Sequence, residues 1–309
     1  MTVVFWKEFA DLFGSKRFVI LFFLILIVAG ASVYLASQSL QQNPPQDSAF
    51  VYLSLFTQAS GGLPSFLSFL AFFGPLVGVL ISFDSVNSEF TRGTVSRVLA
   101  QPIYRDAWIN GKFLAGLATM ALALIGIILI IFGLGLYILG FPPDGGELSR
   151  MFMFFAIGTV YLGFWISLGL LFSILFRQAA SSALAAIGVW LTFTLFLYMV
   201  AGLVADQVAP VNLNSPTQAW AHHEAIRNMV LRFSPVALFE EATSAILIPN
   251  YRGLGIVQAL TQQGIPQNPL PLGQSLLIVW PQLAALLALT AVCFGISYII
   301  FMKREIRSL

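Results

Sequence analysis

Six separate runs of apolar residues, each long enough to cross a lipid bilayer, constrain this chain more than any other feature. They fall near residues 18–37, 63–83, 112–140, 151–176, 181–205 and 276–302. About 20 apolar residues in a helix match the ~30 Å hydrocarbon core, and only a helix satisfies its own amides where water is absent. The composition calls for the same solvent: of 309 residues, 58% are hydrophobic and 9% charged, whereas soluble domains carry about 25% charged residues. The expected fold class is an all-α integral membrane protein with six transmembrane helices, forming a single transmembrane domain over residues 1–309. The first run is read as a retained span. It is too long for the core of a cleavable leader, and no mature soluble domain begins after Ala36-Ser37-Gln38.

Orientation follows from the cations. With both termini in the cytoplasm, the inner face holds eleven of the fifteen Lys and Arg, and only Arg150, Arg227, Arg232 and Arg252 lie outside. Cationic short loops stay cytoplasmic, so the expected arrangement is N-in, C-in, in the plasma membrane. The span centres carry no Asp, Lys or Arg, which argues against pumps and ion-coupled carriers that keep a charge there. Ser65, Ser68, Ser167, Ser173, Thr192, Thr194 and Tyr198 are read mainly as groups bonding back to a helix or across a helix contact. The one cysteine, Cys293, lies in an apolar run and reads as a packed thiol, so no disulfide scaffold is expected. A net charge of +2, with most cations flanking spans, excludes a nucleic-acid binder. Gly74-Pro75-Leu76-Val77-Gly78 is a GxxxG that fits either packing within the chain or a subunit interface. Pro281 costs little near the start of the last span. No internal repeat is visible.

Residues 1–17 are patterned. Phe5, Phe9, Leu12 and Phe13 share one helical face, while Lys7, Glu8 and Asp11 lie away from it; the segment reads as an amphipathic interfacial helix anchored by Trp6 and ended by Gly14. Between the second and third spans, residues 84–111 form a charged loop longer than a simple connection needs. A polar helix is expected to run to about Arg92, break at Gly93, resume through Val95, Val98 and Leu99, and stop before Pro102.

The spacing Glu89-x-x-x-Gly93-Thr94, Leu99, Pro102-x-x-Arg105, with Lys112 opening the next span, resembles the signature of ABC-2 type permeases, the membrane subunits of ATP-binding-cassette exporters. The opening Lys7-Glu8-Phe9, followed by Lys16-Arg17 and an apolar span, is similar too. Within the family, the chain looks closest to the group containing the permease of nitrous-oxide-reductase maturation. The resemblance covers residues 1–205 well and is thinner beyond. Ser85-Val86-Asn87-Ser88 is less acidic than in many members. The resemblance implies a permease homodimer, or a pair of related permeases, carrying two cytoplasmic ATPase subunits. It also implies that the loop after span two is a coupling helix, with Glu89, Arg92, Gly93, Thr94, Leu99, Pro102 and Arg105 at the ATPase, and that the helix of Phe5, Trp6, Lys7, Glu8 and Phe9 lies beside it. ATP and Mg²⁺ would be bound by that partner, and this chain would hold no cofactor.

The chain itself shows no phosphate loop: Gly111-Lys112 has no glycine five residues before Gly111. Gly133-x-Gly135 fails as a dinucleotide motif, because Ile138 stands where its third glycine would be. In the outer loop, residues 206–275, one helix is expected over 217–233, with Ile226, Met229, Val230 and Phe233 on a face toward the outer leaflet or the spans. Ser234-Pro235 should cap a second helix over 236–248, ended by Pro249-Asn250. Pro-rich residues 263–271 return the chain to the last span. His222-His223-Glu224 resembles a metal site, but neighbouring helical positions diverge by about 100°, so an interfacial polar patch is the reading adopted. Glu240-Glu241 reads as a solvated face.

The function expected is that of a permease subunit in an ATP-driven exporter with amphipathic, lipid-like or peptide cargo, and the chain is not expected to be an enzyme. The alternative is an ATPase-coupled scaffold or assembly subunit through which no cargo passes. A membrane-embedded enzyme would need ionisable groups converging inside the bilayer.

Overall fold

A computed structural model describes residues 1–42, 50–95, 100–101, 103–212, 215–248 and 270–304. Among these residues the chain is helical, with no strand. Six helices are long and apolar enough to cross a membrane: Lys16–Gln42, Phe66–Thr91, Arg105–Leu139, Gly145–Leu175, Ala179–Val208 and Leu272–Lys303. They match the six runs read from the sequence in number and order.

In chain order, α1 is Thr2–Phe13, α2 Lys16–Gln42, α3 Val51–Thr57, α4 Phe66–Ser82 and α5 Asn87–Thr91. They are followed by α6 Arg105–Leu139, α7 Gly145–Leu175 and α8 Ala179–Leu191. A π-helical turn, Thr192–Phe196, leads into α9 Leu197–Val208; α10 is Thr217–Leu231, α11 Pro235–Leu247 and α12 Leu272–Lys303. The fourth span begins earlier than its apolar run, because Asp144 and Glu147 form a capping box at its start. That extra turn and a half brings Glu147 and Arg150 into the helix, both buried.

The hub of the bundle is α7, packed against α4, α6, α11 and α12. Where α4 meets it, a Cβ added at Gly74 would stand 3.1 Å from Leu162 Cδ2, and one added at Gly78 3.0 Å from Trp165 Cβ. The GxxxG therefore packs inside the chain, where missing side chains let two backbones approach.

Two short helices fill the half of the bundle far from the N-terminus. All of Val51, Tyr52, Leu53, Leu55 and Phe56 in α3 are buried, and α11 buries Val236, Leu238, Phe239, Ala242, Ala245, Ile246 and Leu247. Phe239 stacks on Tyr161 of α7 at 4.2 Å with a 9° interplanar angle, and Phe56, Phe66 and Phe154 close the cluster. Ser234 caps α11 as expected, its Oγ accepting from Ala237 N at 3.3 Å. The same hydroxyl donates to the carbonyl of Phe193 in the π turn at 3.0 Å, where the wider helix departs from the usual backbone ladder. A helix of the segment between the fifth and sixth spans is thus anchored inside the bundle.

Arg150 holds the other end of α11. Its guanidinium donates to the carbonyl of Ile246 at 2.6 Å, to the carbonyl of Leu270 and to Ser275 Oγ at 3.4 Å. It also lies over the Phe50 ring at 5.5 Å. One buried cation therefore ties the last turn of α11 to the start of α12, satisfying the Ile246 carbonyl that the C-terminus of α11 leaves without a partner.

Candidate functional site

The end of the bundle that carries the N-terminus has its own small apolar core, separate from the main one: Val4, Val86, Val95, Trp108, Ile109, Leu170, Ile174 and Phe301. Around it converge α1, α5, the first turns of α6 and the last turns of α7 and α12. The left-handed conformation at Gly93 (φ 66°) ends the short helix, as the sequence indicated. Ser173 of α7 caps the entry to α5, its Oγ accepting from Val86 N at 2.9 Å and Asn87 N at 3.2 Å.

Lys112 lies at the centre. It stands two turns inside α6, with its side chain 2% exposed, donating to Glu8 Oε2 of α1 at 2.9 Å and to Glu89 Oε1 of α5 at 2.6 Å. Its ammonium also sits 4.7 Å from the Trp108 ring centroid. A lysine in apolar helix is stable only with counter-ions, and these come from two elements far apart in sequence. Close approach of α1 relies on Gly111, where an added Cβ would lie 2.8 Å from Val4 Cγ1.

Lys7 extends the network, reaching Glu8 at 2.8 Å, Asp11 at 3.3 Å and Glu89 at 3.9 Å. Burial works to lower the Lys7 pKa, but the hydrogen bond and charge of Glu8, with Glu89 and Asp11, outweigh it and raise it to about 12. Burial likewise works to raise Glu8, yet the charge of Lys112 and the hydrogen bonds from both lysines hold its carboxyl below the ordinary value of 4.5. Arg17 of α2 pairs with Asp84 at 2.6 Å. Arg304, beyond α12, lies 4.4 Å from the Phe90 ring centroid and donates to the Ile174 carbonyl at 2.7 Å, while Arg105 donates to the Arg304 carbonyl at 3.1 Å. A cleft of about 380 Å³ opens between α1 and α5, lined by Lys7, Asp11, Asp84, Ser88, Glu89 and Arg92 among others.

Most of the residues singled out from the sequence therefore meet here: Glu89, Arg92, Gly93, Thr94 and Arg105, together with Lys7 and Glu8. Thr94 Oγ1 donates to the Glu89 carbonyl at 3.2 Å. Leu99 and Pro102 lie outside the described residues, as do Val98, Arg97, Arg252, Arg307, Pro249-Asn250 and all of 263–271 except Leu270 and Pro271. The face of α1 differs from the one expected. Val4 and Glu8 are buried, Phe5 and Phe9 are half-buried, and Trp6 and Phe13 are exposed. Glu8 turns inward because a buried ammonium awaits it, an attraction that helical periodicity does not register. Sequence reasoning also missed Lys112 as a bridge. The available signal was a cation within an apolar helix, which needs an acid near it in space.

At the far end, Glu240-Glu241 is not a solvated face. Glu240 accepts from Tyr198 Oη at 2.7 Å, and Glu241 Oε1 is buried with no hydrogen-bond partner. His223 is buried, its Nδ1 3.0 Å from the Ala209 carbonyl, whereas His222 is exposed, and no group of three or more potential metal ligands occurs among the described residues. On α10, Met229 and Phe233 beyond it face outward, while Ala221, His223 and Leu231 are buried.

Six helices long and apolar enough to cross a bilayer define a multi-pass membrane protein. The chain belongs to the ABC-2 family of transporter proteins, whose profile it matches over residues 2–306. It is similar to a probable ABC transporter permease protein, NosY, of Stutzerimonas stutzeri, at 29% identity over 150 residues, 47% of this chain and 52% of that protein. It is also similar to the protein of the same name in Pseudomonas aeruginosa PAO1, at 31% identity over 159 residues, 49% of this chain and 56% of that one. The match spans about half the length of these curated relatives. Family and relatives agree on a membrane subunit of an ABC transporter.

Proposed function

We propose that the chain is the permease of an ATP-driven exporter, with both termini in the cytoplasm and an ATPase docked on the end formed by α1, α5 and the start of α6. ATP and Mg²⁺ belong to that partner, present in two copies with two permeases. The second permease sits against the faces of α2 and the α8–α9 span that this chain leaves largely uncovered, and the cargo path runs between the copies. The observation that carries this reading is the Lys112 bridge. It joins two peripheral helices to a membrane span through 2.6–2.9 Å contacts, so a push on α1 or α5 has a direct route into the bilayer.

Glu89→Lys places a second cation against Lys112, and Gly93→Pro removes the only backbone geometry that suits position 93. Either change, in a complex with the ATPase reconstituted into liposomes, is expected to abolish the permease's influence on ATP turnover while the chain stays inserted. Wild-type turnover and wild-type dependence on the permease in both variants would exclude this end as the docking and transmission site.

A further inference from the structure

The far half of the bundle holds a polar cavity that the transmission reading does not use. It measures about 240 Å³, lies between α9, α10 and α11, and is lined by Tyr198, Arg227, Asn228, Arg232, Glu240 and Glu241 among others. Helix rise places it near the membrane's edge: Tyr198 stands about 28 Å along the fifth span from Ala179, close to the far boundary of a hydrocarbon core ~30 Å thick, where head groups lie.

The polar groups are incompletely matched. Glu240 is engaged by Tyr198, but Glu241 Oε1 is buried and unpartnered. Glu240 and Glu241 both line the cavity, and a donor that meets two neighbouring carboxylates needs several hydrogens, of which a primary ammonium carries three. Opposite them, Arg227 reaches Glu224 at 3.3 Å and Arg232 is exposed at the rim. Guanidinium groups there would repel a bare metal ion and suit a phosphate or carboxylate. The helix bearing Tyr198 is apolar and exposed along Leu195, Phe196, Met199 and Leu203, a surface for acyl chains.

We propose that this cavity binds the zwitterionic head group of an amino-phospholipid, its ammonium against Glu240 and Glu241, its phosphate against Arg227 and Arg232, and its chains along α9. A free phosphoethanolamine shares the head-group chemistry, so the test separates the two. The site does not rest on the ATPase reading, and no ATPase enters the assay.

The full chain in detergent is mixed with equal amounts of phosphatidylethanolamine, phosphatidylcholine and phosphatidylglycerol, and retained lipid is read by native mass spectrometry. One phosphatidylethanolamine per chain should be held about tenfold over phosphatidylcholine, whose quaternary ammonium donates no hydrogen bond. Glu241→Gln should erase that preference. Arg232→Gln, at the exposed rim where folding is not at stake, should weaken retention of phosphatidylethanolamine and phosphatidylglycerol alike. Equal retention of the three lipids, or an unchanged preference in both variants, overturns the proposal. Free O-phosphoethanolamine, titrated calorimetrically into the lipid-depleted chain, should bind more weakly than the lipid; equal affinity would overturn the lipid as occupant.

Discussion

The bundle buries a cation near each end, and the two are held in opposite ways. Lys112 is gripped by carboxylates from α1 and α5, whereas Arg150 donates to the carbonyls of Ile246 and Leu270 and the hydroxyl of Ser275. Carbonyls neither titrate nor exchange partners readily, so the Arg150 end is fastened. Carboxylates can be protonated or drawn to another cation, so the Lys112 end is latched and can be released. That contrast fits a molecule worked from one end while the other keeps its shape.

The largest effect should come from breaking the latch. Lys112→Met leaves Glu8 and Glu89 without their buried counter-ion and is expected to lower stability by about 3 kcal/mol, read as a fall in the thermal midpoint of the nanodisc-embedded chain. Lys112→Arg should recover most of the loss; a melting curve unchanged by methionine would mean that the bridge holds nothing. Next comes the fastened end, where Arg150→Met strands two carbonyls at a cost of about 2 kcal/mol, with Arg150→Lys a poor rescue because one ammonium cannot span three acceptors as the guanidinium fork does.

A third test uses pH to sharpen the contrast. Glu8 has its carboxyl held below 4.5, so its contribution is complete above 4.5 and is lost as pH falls through the lower folded value. Lys7 runs the other way, contributing fully below 10.5 and losing that contribution as pH rises through about 12. The coupling energy between Lys112→Met and Glu8→Gln should therefore vanish in acid, while the Arg150→Met penalty stays constant through the same range. Acid-insensitive coupling would remove the distinction between latch and fastening. The smallest effect is expected at Arg17→Gln, whose pairing with Asp84 is two-thirds exposed on the arginine side. It should cost less than ~1 kcal/mol and disappear with added salt.

The spans were legible because run length and hydropathy are local properties, and so were Gly93 as a break and Ser234-Pro235 as a helix start. The Lys112 bridge was half legible: Glu8, Glu89 and Lys112 all stood out singly, but nothing in spacing says that residues 104 and 23 positions apart meet. The burial of α11 was not legible. An apolar helix resting on a membrane and one sunk among spans have the same composition, and only the partners Phe193, Tyr161 and Arg150 distinguish them. Reading Glu240-Glu241 as solvated followed directly from missing that depth.

The π turn has a consequence for the geometry of the fifth span. Ser182, Ala186, Trp190 and Thr194 are buried at every fourth position, yet in an α-helix a four-residue step overshoots a full revolution by about 40°. The seam is recovered beyond the turn at Ala201 and Ala205, which are also buried and reached from Thr194 by a step of seven residues, about 20° short of two revolutions. Each residue of the wider turn at Thr192–Phe196 advances by less than the α-helical 100°, so Ala201 and Ala205 are turned further toward the face of Ser182 and Ala186. Deleting one residue there would leave the span long enough for the bilayer and let the turn close into ordinary α-helix, withdrawing the Phe193 carbonyl that Ser234 bonds.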